Sequence, residues 1–416
     1  MSTRCLDKIV WVMSSGCAKV APVALGFFLA KLWGHGEYAS FILLASFSAF
    51  LSALPTLGSV PQILASGSLE NRDSLIKKNI AVSLVINLAL QILYWGYWYF
   101  SQRYGSEVDY IKDWGWLLSV SFYSTGLVLY GLANACLSSK ERWMMASGWS
   151  VFVYFFSVVV VLLVGVSAGF DGARVLIVYS LVFFALSFLY FIRVYAFLGF
   201  DFAGLAMKKS GRWFDFARHL KVSFFGVAYL WGFYLVAERV NSQASELMAA
   251  IYSLSFQLFS LSIFVPSVLG SILVPYLSNR SNEKKTGGRL YPVLYALLPA
   301  MFGLLIYLFS EQIVLLYGFE RHGEVALEIL MSMQLAAVLA SLSAYKIQGF
   351  IVGLRYWSLF FGGIVWLGVL GLGVDAADTV LDISGALIFS YLSVVVFYYS
   401  WPVVEKRFFP VLKGGG

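Results

Sequence analysis

The chain has 416 residues, of which 60% are hydrophobic, 18% are aromatic and only 12% are charged, and its formal net charge is +7. Because charged residues make up about a quarter of a typical soluble protein, this composition excludes a soluble globular domain. The three cysteines form neither a disulfide framework nor a thiolate metal site, so we expect no metal and no cofactor.

Apolar stretches of about twenty residues, long enough to cross a hydrocarbon core of roughly 30 Å as a helix, alternate with short polar loops along the chain. The predicted spans are 9 to 32, 38 to 65, 79 to 100, 114 to 137, 143 to 167, 174 to 198, 220 to 240, 247 to 277, 290 to 310, 325 to 352, 357 to 374 and 383 to 403. They predict an all-α polytopic membrane protein with about twelve transmembrane helices.

The first span fits a cleavable signal poorly. The run from Ser14 to Cys17 faintly suggests a lipoprotein signal, but the apolar core before it, Ile9 to Met13, is too short, and the hydrophobicity continues to Leu32. We therefore expect an uncleaved first helix.

The distribution of charge predicts the orientation. Lys and Arg concentrate in one alternating set of loops, and the other set is acidic. Because positive charges resist translocation, both termini are expected to be cytoplasmic. Cations beside anionic headgroups also explain the net charge, so no nucleic-acid partner is expected.

The longest polar interval at mid-chain, from Gly199 to Lys221, mixes aromatic residues with cations, as a segment on a membrane surface would. It separates an N-terminal six-helix lobe at 1–198 from a C-terminal six-helix lobe at 220–416, with a basic cytoplasmic linker at 199–219.

The two lobes show matching residues about 214 positions apart. The pairs are Tyr38 and Tyr252, Pro61 and Pro275, and Trp143 and Trp357. Together with the equal helix counts, they favour a parallel pseudo-repeat over a polytopic protein without symmetry. Transporters built in this way place the substrate near the midplane, so we expect a central cavity between the lobes.

Lys19 lies about ten residues into the first span, among apolar residues. A cation at the bilayer centre costs roughly 2.5 to 3.5 kcal/mol unless it faces water or a partner. Ser15, Lys19, Pro22 and Gly26 recur at helical spacing, which predicts a small polar face that lines a hydrated cavity.

Two further helices carry polar stripes at near-helical spacing. They are Ser48, Ser52, Thr56 and Ser59 in the second span and Ser253, Gln257, Ser260, Ser267 and Ser271 in the eighth. Such stripes either line a cavity or let helices pack closely, and the second interpretation stays open for each of them.

Three other charges lie within the predicted spans. Lys346 either faces the cavity or reaches the cytoplasmic interface along its long side chain. Glu238 and Arg239 are adjacent near the outer end of the seventh span, where neighbouring side chains point to different faces, so they need not pair. We expect one of them to face inward.

The sequence has no phosphate-binding P-loop, no paired carboxylates and no metal-binding His-Glu motif. These absences argue against an ATPase in this chain and against an enzyme, and we assign no catalytic residues.

Two stretches resemble a known family. They are LAKLWGHGEYASFILLASFSAFLSALPTLGSVPQILAS, residues 29–66, and ERVNSQASELMAAIYSLSFQLFSLSIFVPSVLGSILVPYLS, residues 238–278. The chain resembles Wzx-type flippases of the polysaccharide transporter family, within the multidrug/oligosaccharidyl-lipid/polysaccharide (MOP) exporter superfamily. The resemblance covers the length, helix number and half-repeat of the whole chain.

The resemblance implies a carrier of the bacterial inner membrane that turns an undecaprenyl-diphosphate-linked oligosaccharide from the cytoplasmic to the periplasmic leaflet by alternating access during O-antigen or related polysaccharide synthesis. Its partners would be this lipid-linked glycan, membrane lipids and the polysaccharide polymerase machinery. The candidate substrate-binding residues are Lys19, Arg239, Lys346, Ser15, Ser52 and Gln257, with Tyr38, Trp231 and Tyr252 as further sugar contacts. Glu238 is the candidate for ion or proton coupling.

Two other functions stay open. A cation-coupled drug or metabolite exporter of the same superfamily would share the architecture, but such exporters favour buried carboxylates, whereas Lys19 puts a cation in this interior. A membrane enzyme of polysaccharide assembly would modify or polymerise its substrate instead of moving it unchanged.

Overall fold

The computed structural model describes residues 3–65, 72–104, 114–199, 212–264, 290–352 and 355–408, and the regular structure within them is helical. The thirteen α-helices there are α1 Thr3–Leu32, α2 His35–Ala65, α3 Arg72–Tyr104, α4 Trp114–Ser139, α5 Trp143–Ser167, α6 Gly172–Phe197, α7 Arg212–Gln243, α8 Glu246–Ser262, α9 Leu290–Leu308, α10 Ser310–Tyr317, α11 Gly323–Val352, α12 Tyr356–Asp375 and α13 Val380–Phe408. A 3-10 turn, Glu320–His322, precedes α11.

A helix occupies each of the twelve predicted spans, although the second half of the eighth, 265–277, lies outside the described residues. By length and composition, eight helices in the described part can each cross a membrane. Helices α9 and α10 meet the same criteria only when taken together, as a broken span or a re-entrant loop. The prediction of an all-α polytopic membrane protein is confirmed.

The bend between α9 and α10 was not predicted. The two helices meet at Phe309 at an angle of 66°. Ser310 donates a hydrogen bond to the carbonyl of Tyr307 at 2.8 Å, and α10 ends at Gly318, whose φ of 78° is left-handed. The polar residues Ser310, Glu311 and Gln312 follow the bend directly, and the predicted span ended at residue 310.

The chain divides into two compact units, unit 1 at Met1–Ser223 and unit 2 at Phe224–Gly416. The division falls within α7, which begins inside the predicted linker. Since residues 200–211 lie outside the described part, the predicted limits at 198 and 220 stay a prediction.

Unit 1 is built around α4, which packs against both α2 and α6. Gly126 of α4 permits this close packing, because a β-carbon there would lie 2.9 Å from Cδ1 of Phe183. Helix α1 packs against α5, and the rings of Trp11 and Trp143 lie 4.9 Å apart. Two glycine- and aromatic-rich contacts therefore hold the six helices of unit 1 together.

Unit 2 is built around α11, which packs against α8, α9 and α13. Its core is aromatic: Trp366 of α12 is fully buried, and its ring stacks on Tyr229 of α7 with 4.3 Å between centroids. Gly362 of α12 leaves room for Tyr398 of α13, because a β-carbon at Gly362 would overlap that ring.

The packing order is the same in both units. Helix α4 packs against α2 and α6 as α11 packs against α8 and α13. Arg142 and Arg355 precede α5 and α12 with nearly equal backbone angles, φ −90° and ψ 56° against φ −88° and ψ 64°. The predicted similarity of the two six-helix halves is therefore confirmed for these helix contacts.

Candidate functional site

Lys19 and Ser15 lie in the interior of α1. The side chains of Ser15 and Lys19 themselves lie outside the described residues, so their substrate-binding roles stay predictions.

The polar stripe of α2 lies in the interior of unit 1. Ser52 is 6% exposed, and its hydroxyl donates to the carbonyl of Ala49 at 2.9 Å. Thr56 bonds the carbonyl of Ser52 at 2.6 Å, and Ser59 bonds the carbonyl of Asn79 on α3 at 3.0 Å. Packing, the alternative interpretation, therefore explains Ser59, and the role of Ser52 stays a prediction.

The stripe of α8 has the same character in its described half. Ser253 donates to the carbonyl of Ala249 at 2.7 Å, and Gln257 is 6% exposed. Ser262, a residue outside the predicted stripe, forms a hydrogen bond with Gln334 of α11. Ser267 and Ser271 lie outside the described residues. The role of Gln257 stays a prediction.

A row of polar side chains that the sequence analysis missed runs along α3 at every fourth residue. We call Ser83, Asn87, Gln91 and Trp95 the polar ladder. Their bonds are Ser83 to Ser59 at 2.6 Å, Asn87 to Thr125 at 3.4 Å, Gln91 to Ser124 at 2.9 Å and Trp95 to Ser121 at 2.9 Å. The spacing of four was the signal that could have revealed it, because i and i+4 share a helix face.

The polar ladder joins α3 to α2 at one rung and to α4 at the other three. The opposite face of α3 is apolar and exposed, with Val85, Leu88 and Ile92 each about 60% accessible. Interhelical hydrogen bonds of this kind hold membrane helices together. We therefore assign the ladder to assembly of unit 1.

Arg239 lies in the last two turns of α7, where it lines a cavity of about 200 Å³. We call this the end cavity; it is formed by the end of α7, the start of α8 and the segment between α12 and α13. Glu238 is half-buried and does not line this cavity, so the two neighbours point in different directions, as the sequence predicts. The coupling role of Glu238 stays a prediction.

Lys346 of α11 places its ammonium over the ring of Tyr399 of α13, 4.2 Å from the centroid. The end cavity reaches Val380 at the start of α13. At a rise of about 1.5 Å per residue, Val380 and Tyr399 are about 28 Å apart. One diphosphate group cannot contact Arg239 and Lys346 together, so the structure does not bring these two predicted binding residues into one site.

The three aromatic residues expected to contact sugars differ in exposure. Tyr38 and Tyr252 are almost completely buried within their own units, whereas Trp231 of α7 is 43% exposed. In this structure the two tyrosines pack within their own units, and their contact with sugars stays a prediction.

No protein-family model and no curated protein matches the chain. Solved structures do match it. A crystal structure of MATE in complex with MaL6 has a TM-score of 0.72 and 12% identity, over 96% of this chain and 95% of that one.

Two further matches are each described as a multidrug resistance MATE family transporter of the MOP superfamily. The one in an outward-facing conformation has a TM-score of 0.70 and 13% identity, over 96% of this chain and 94% of that one. The one in an inward-facing conformation has a TM-score of 0.69 and 12% identity, over 98% of this chain and 100% of that one. The chain has the fold of the MATE transporters.

The MATE fold accounts for the two units and for their common packing order. These two structures are described as members of the MOP superfamily, the one to which the sequence resemblance points. At these identities the match concerns the MATE fold alone, and the assignment to Wzx-type flippases stays a prediction.

Proposed function

We propose that this chain is an alternating-access transporter that exports amphipathic organic solutes. The observation that carries the proposal is the match of nearly the whole chain to two solved structures, one described as the outward-facing and one as the inward-facing conformation of a multidrug resistance MATE family transporter. A carrier that alternates between two such states exposes its substrate to one side of the membrane at a time.

The charges of the helices restrict the class of solute. Every Asp and Glu in the thirteen described α-helices lies within the first or last two turns. Lys19, in contrast, lies more than three turns from either end of α1. Because a cationic solute in a low-dielectric interior needs a nearby carboxylate, we expect neutral or anionic solutes.

The test is drug resistance in a bacterial strain that lacks its own exporters. Cells with the wild-type chain, Lys19→Ala, Lys19→Arg or the empty vector are grown with anionic, neutral and cationic amphipathic compounds. We expect the wild-type chain to protect cells against the anionic and neutral compounds. Lys19→Ala should lose this protection, and Lys19→Arg should keep most of it. Lys31→Ala is the matched control, since Lys31 is an exposed cation in the last turn of the same helix.

Growth of wild-type cells no better than that of vector cells, at equal amounts of membrane-inserted protein, would contradict the export proposal. Protection against cations alone would contradict the expected solute class.

A second candidate is the flippase for undecaprenyl-diphosphate-linked oligosaccharides. Two observations favour it: the resemblance over residues 29–66 and 238–278, and a lysine in place of a carboxylate in the interior of α1. A diphosphate headgroup needs a cation, and lysine supplies one.

Complementation separates the two candidates. A strain that lacks its own oligosaccharide flippase is transformed with the gene for the wild-type chain, Lys19→Ala, Lys19→Arg or Lys31→Ala. Each strain is then scored for surface polysaccharide. Restoration by the wild-type chain and not by Lys19→Ala would support the flippase. Drug protection without restored polysaccharide, in strains that make different repeat units, would support the exporter.

A further inference from the structure

The end cavity lies entirely within unit 2. Its volume of about 200 Å³ is below the range of about 300 to 1,000 Å³ typical of sites for drug-sized ligands. Its walls include Arg239, Met248, Asp378 and Thr379. The cavity therefore suits a small polar group and not a whole drug molecule.

Arg239 contributes a guanidinium to the wall of this cavity. Its Nε atom is buried and has no hydrogen-bond partner among the described residues, so the protein leaves the charge of the guanidinium incompletely compensated. A ligand oxygen in the cavity that binds the guanidinium would compensate it.

Two helices begin at the cavity, and the positive ends of their dipoles favour a negative group there. One amide at each helix start is already occupied: Ser245 accepts from the amide of Met248 at 3.4 Å, and the hydroxyl of Thr379 accepts from the amide of Asp382 at 3.2 Å. The guanidinium of Arg239 adds a full positive charge to the same cavity.

Asp378 places a carboxylate at the same cavity. Arg239 and Asp378, which both lie in the described part of the chain, form no ion pair with each other there. A simple anion would be repelled by Asp378, and a simple cation by Arg239. A ligand with both charges has a partner for each of them.

We propose that the end cavity binds a small zwitterionic head group of the phosphoethanolamine type. The phosphate oxygens accept hydrogen bonds from Arg239, and the ammonium pairs with Asp378. The same chemistry occurs in a free metabolite and in a phospholipid head group. This site is separate from the transport proposal and does not depend on it.

Direct binding tests the proposal. The purified full-length chain, in nanodiscs of phosphatidylglycerol, is titrated with phosphoethanolamine, inorganic phosphate or ethanolamine, and the affinity is taken from the shift in thermal unfolding. We expect saturable binding of phosphoethanolamine and affinities weaker by about tenfold or more for the two fragments, each of which satisfies only one charge.

Substitutions localise the site. Arg239→Gln and Asp378→Asn are each expected to weaken phosphoethanolamine binding by about tenfold or more. Arg174→Gln and Asp171→Asn are the matched controls, because these residues form an exposed Arg and Asp pair in unit 1, with side chains 68% and 60% accessible. The controls should bind as the wild type does.

The proposal is overturned if inorganic phosphate binds as tightly as phosphoethanolamine, or if neither substitution in the end cavity changes the affinity. If a variant fails to fold, the comparison of the three probes on the wild type decides. A further arm adds phosphatidylethanolamine to the nanodiscs: weaker binding of free phosphoethanolamine identifies the lipid head group as the ligand, and unchanged binding identifies the free molecule.

Discussion

Gly232 of α7 lies directly against the ring of Trp366 of α12, so closely that a β-carbon on the glycine would overlap the ring atoms. Trp366 is completely buried and also stacks on Tyr229, so it has no space into which to retreat. The absence of a side chain at residue 232 therefore sets the distance between the two helices in the aromatic core of unit 2.

We expect Gly232→Ala to destabilise the protein by about 1 to 3 kcal/mol, because the added methyl group overpacks a filled core. The measurement is the free energy of unfolding in detergent, followed by tryptophan fluorescence. Gly96→Ala is the control: a β-carbon at Gly96 of α3 meets no atom within 4 Å. That variant should be neutral or more stable by up to about 1 kcal/mol, since alanine is the better helix former. Equal losses in both would contradict the packing argument.

The polar ladder should contribute stability through coupled pairs. We expect Gln91→Leu to cost about 0.6 to 1.7 kcal/mol, the range measured for interhelical hydrogen bonds in membranes. A double-mutant cycle with Ser124→Ala should show that the two losses are not additive, because the residues share the 2.9 Å bond. Leu88→Ala, on the exposed apolar face of α3, is the reference for a change without an interhelical bond. Strict additivity in the cycle would exclude a direct contribution from this rung.

The contact between Lys346 and Tyr399 is expected to depend on the aromatic face and not on the phenol hydroxyl. Tyr399→Phe should keep the stability of the wild type, and Tyr399→Leu should lose about 0.5 to 1 kcal/mol, typical of an exposed cation–π pair. The same comparison in a Lys346→Met background should show no difference between Phe and Leu beyond that of their hydrophobicity. A difference that persists there would mean that the ring packs for other reasons.

Trp33, which directly follows α1, forms a hydrogen bond with the segment that connects α5 and α6. Its indole nitrogen donates to the carbonyl of Phe170 at 2.8 Å, and its ring lies against Gly165. We expect Trp33→Phe, which loses the bond and keeps most of the ring, to cost about 1 kcal/mol. Trp33→Ala should cost about 3 to 5 kcal/mol because it also leaves a cavity. Hydrogen exchange of residues 168–171 should accelerate in both variants; protection as in the wild type would rule out this link.

The fold was predictable because the bilayer imposes it. Apolar length alone locates the helices, and Trp143 and Trp357, taken as markers of the repeat, do begin or nearly begin α5 and α12. The polar residues Ser310 to Gln312 marked the end of a span, but the 66° bend into a second short helix was not predictable, since hydropathy carries no information on helix direction.

The candidate site was less predictable, because a polar residue in an apolar helix has the same sequence signal whether it lines a cavity or bonds a neighbouring helix. Ser59 fitted the cavity interpretation by its spacing, and the structure bonds it to α3. Arg239 was selected for its charge. Two residues that line the end cavity with it, Asp378 and Thr379, lie about 140 residues further along the chain. Only the tertiary structure shows that proximity.

The regular rise of the polar ladder has a mechanical consequence. Its four rungs are spaced along nearly the full width of a bilayer leaflet, so turning α3 about its axis or sliding it along α4 would break every rung at once in a medium that offers no replacement partners. Helices α2, α3 and α4 are therefore expected to move together as one block in any conformational change of unit 1.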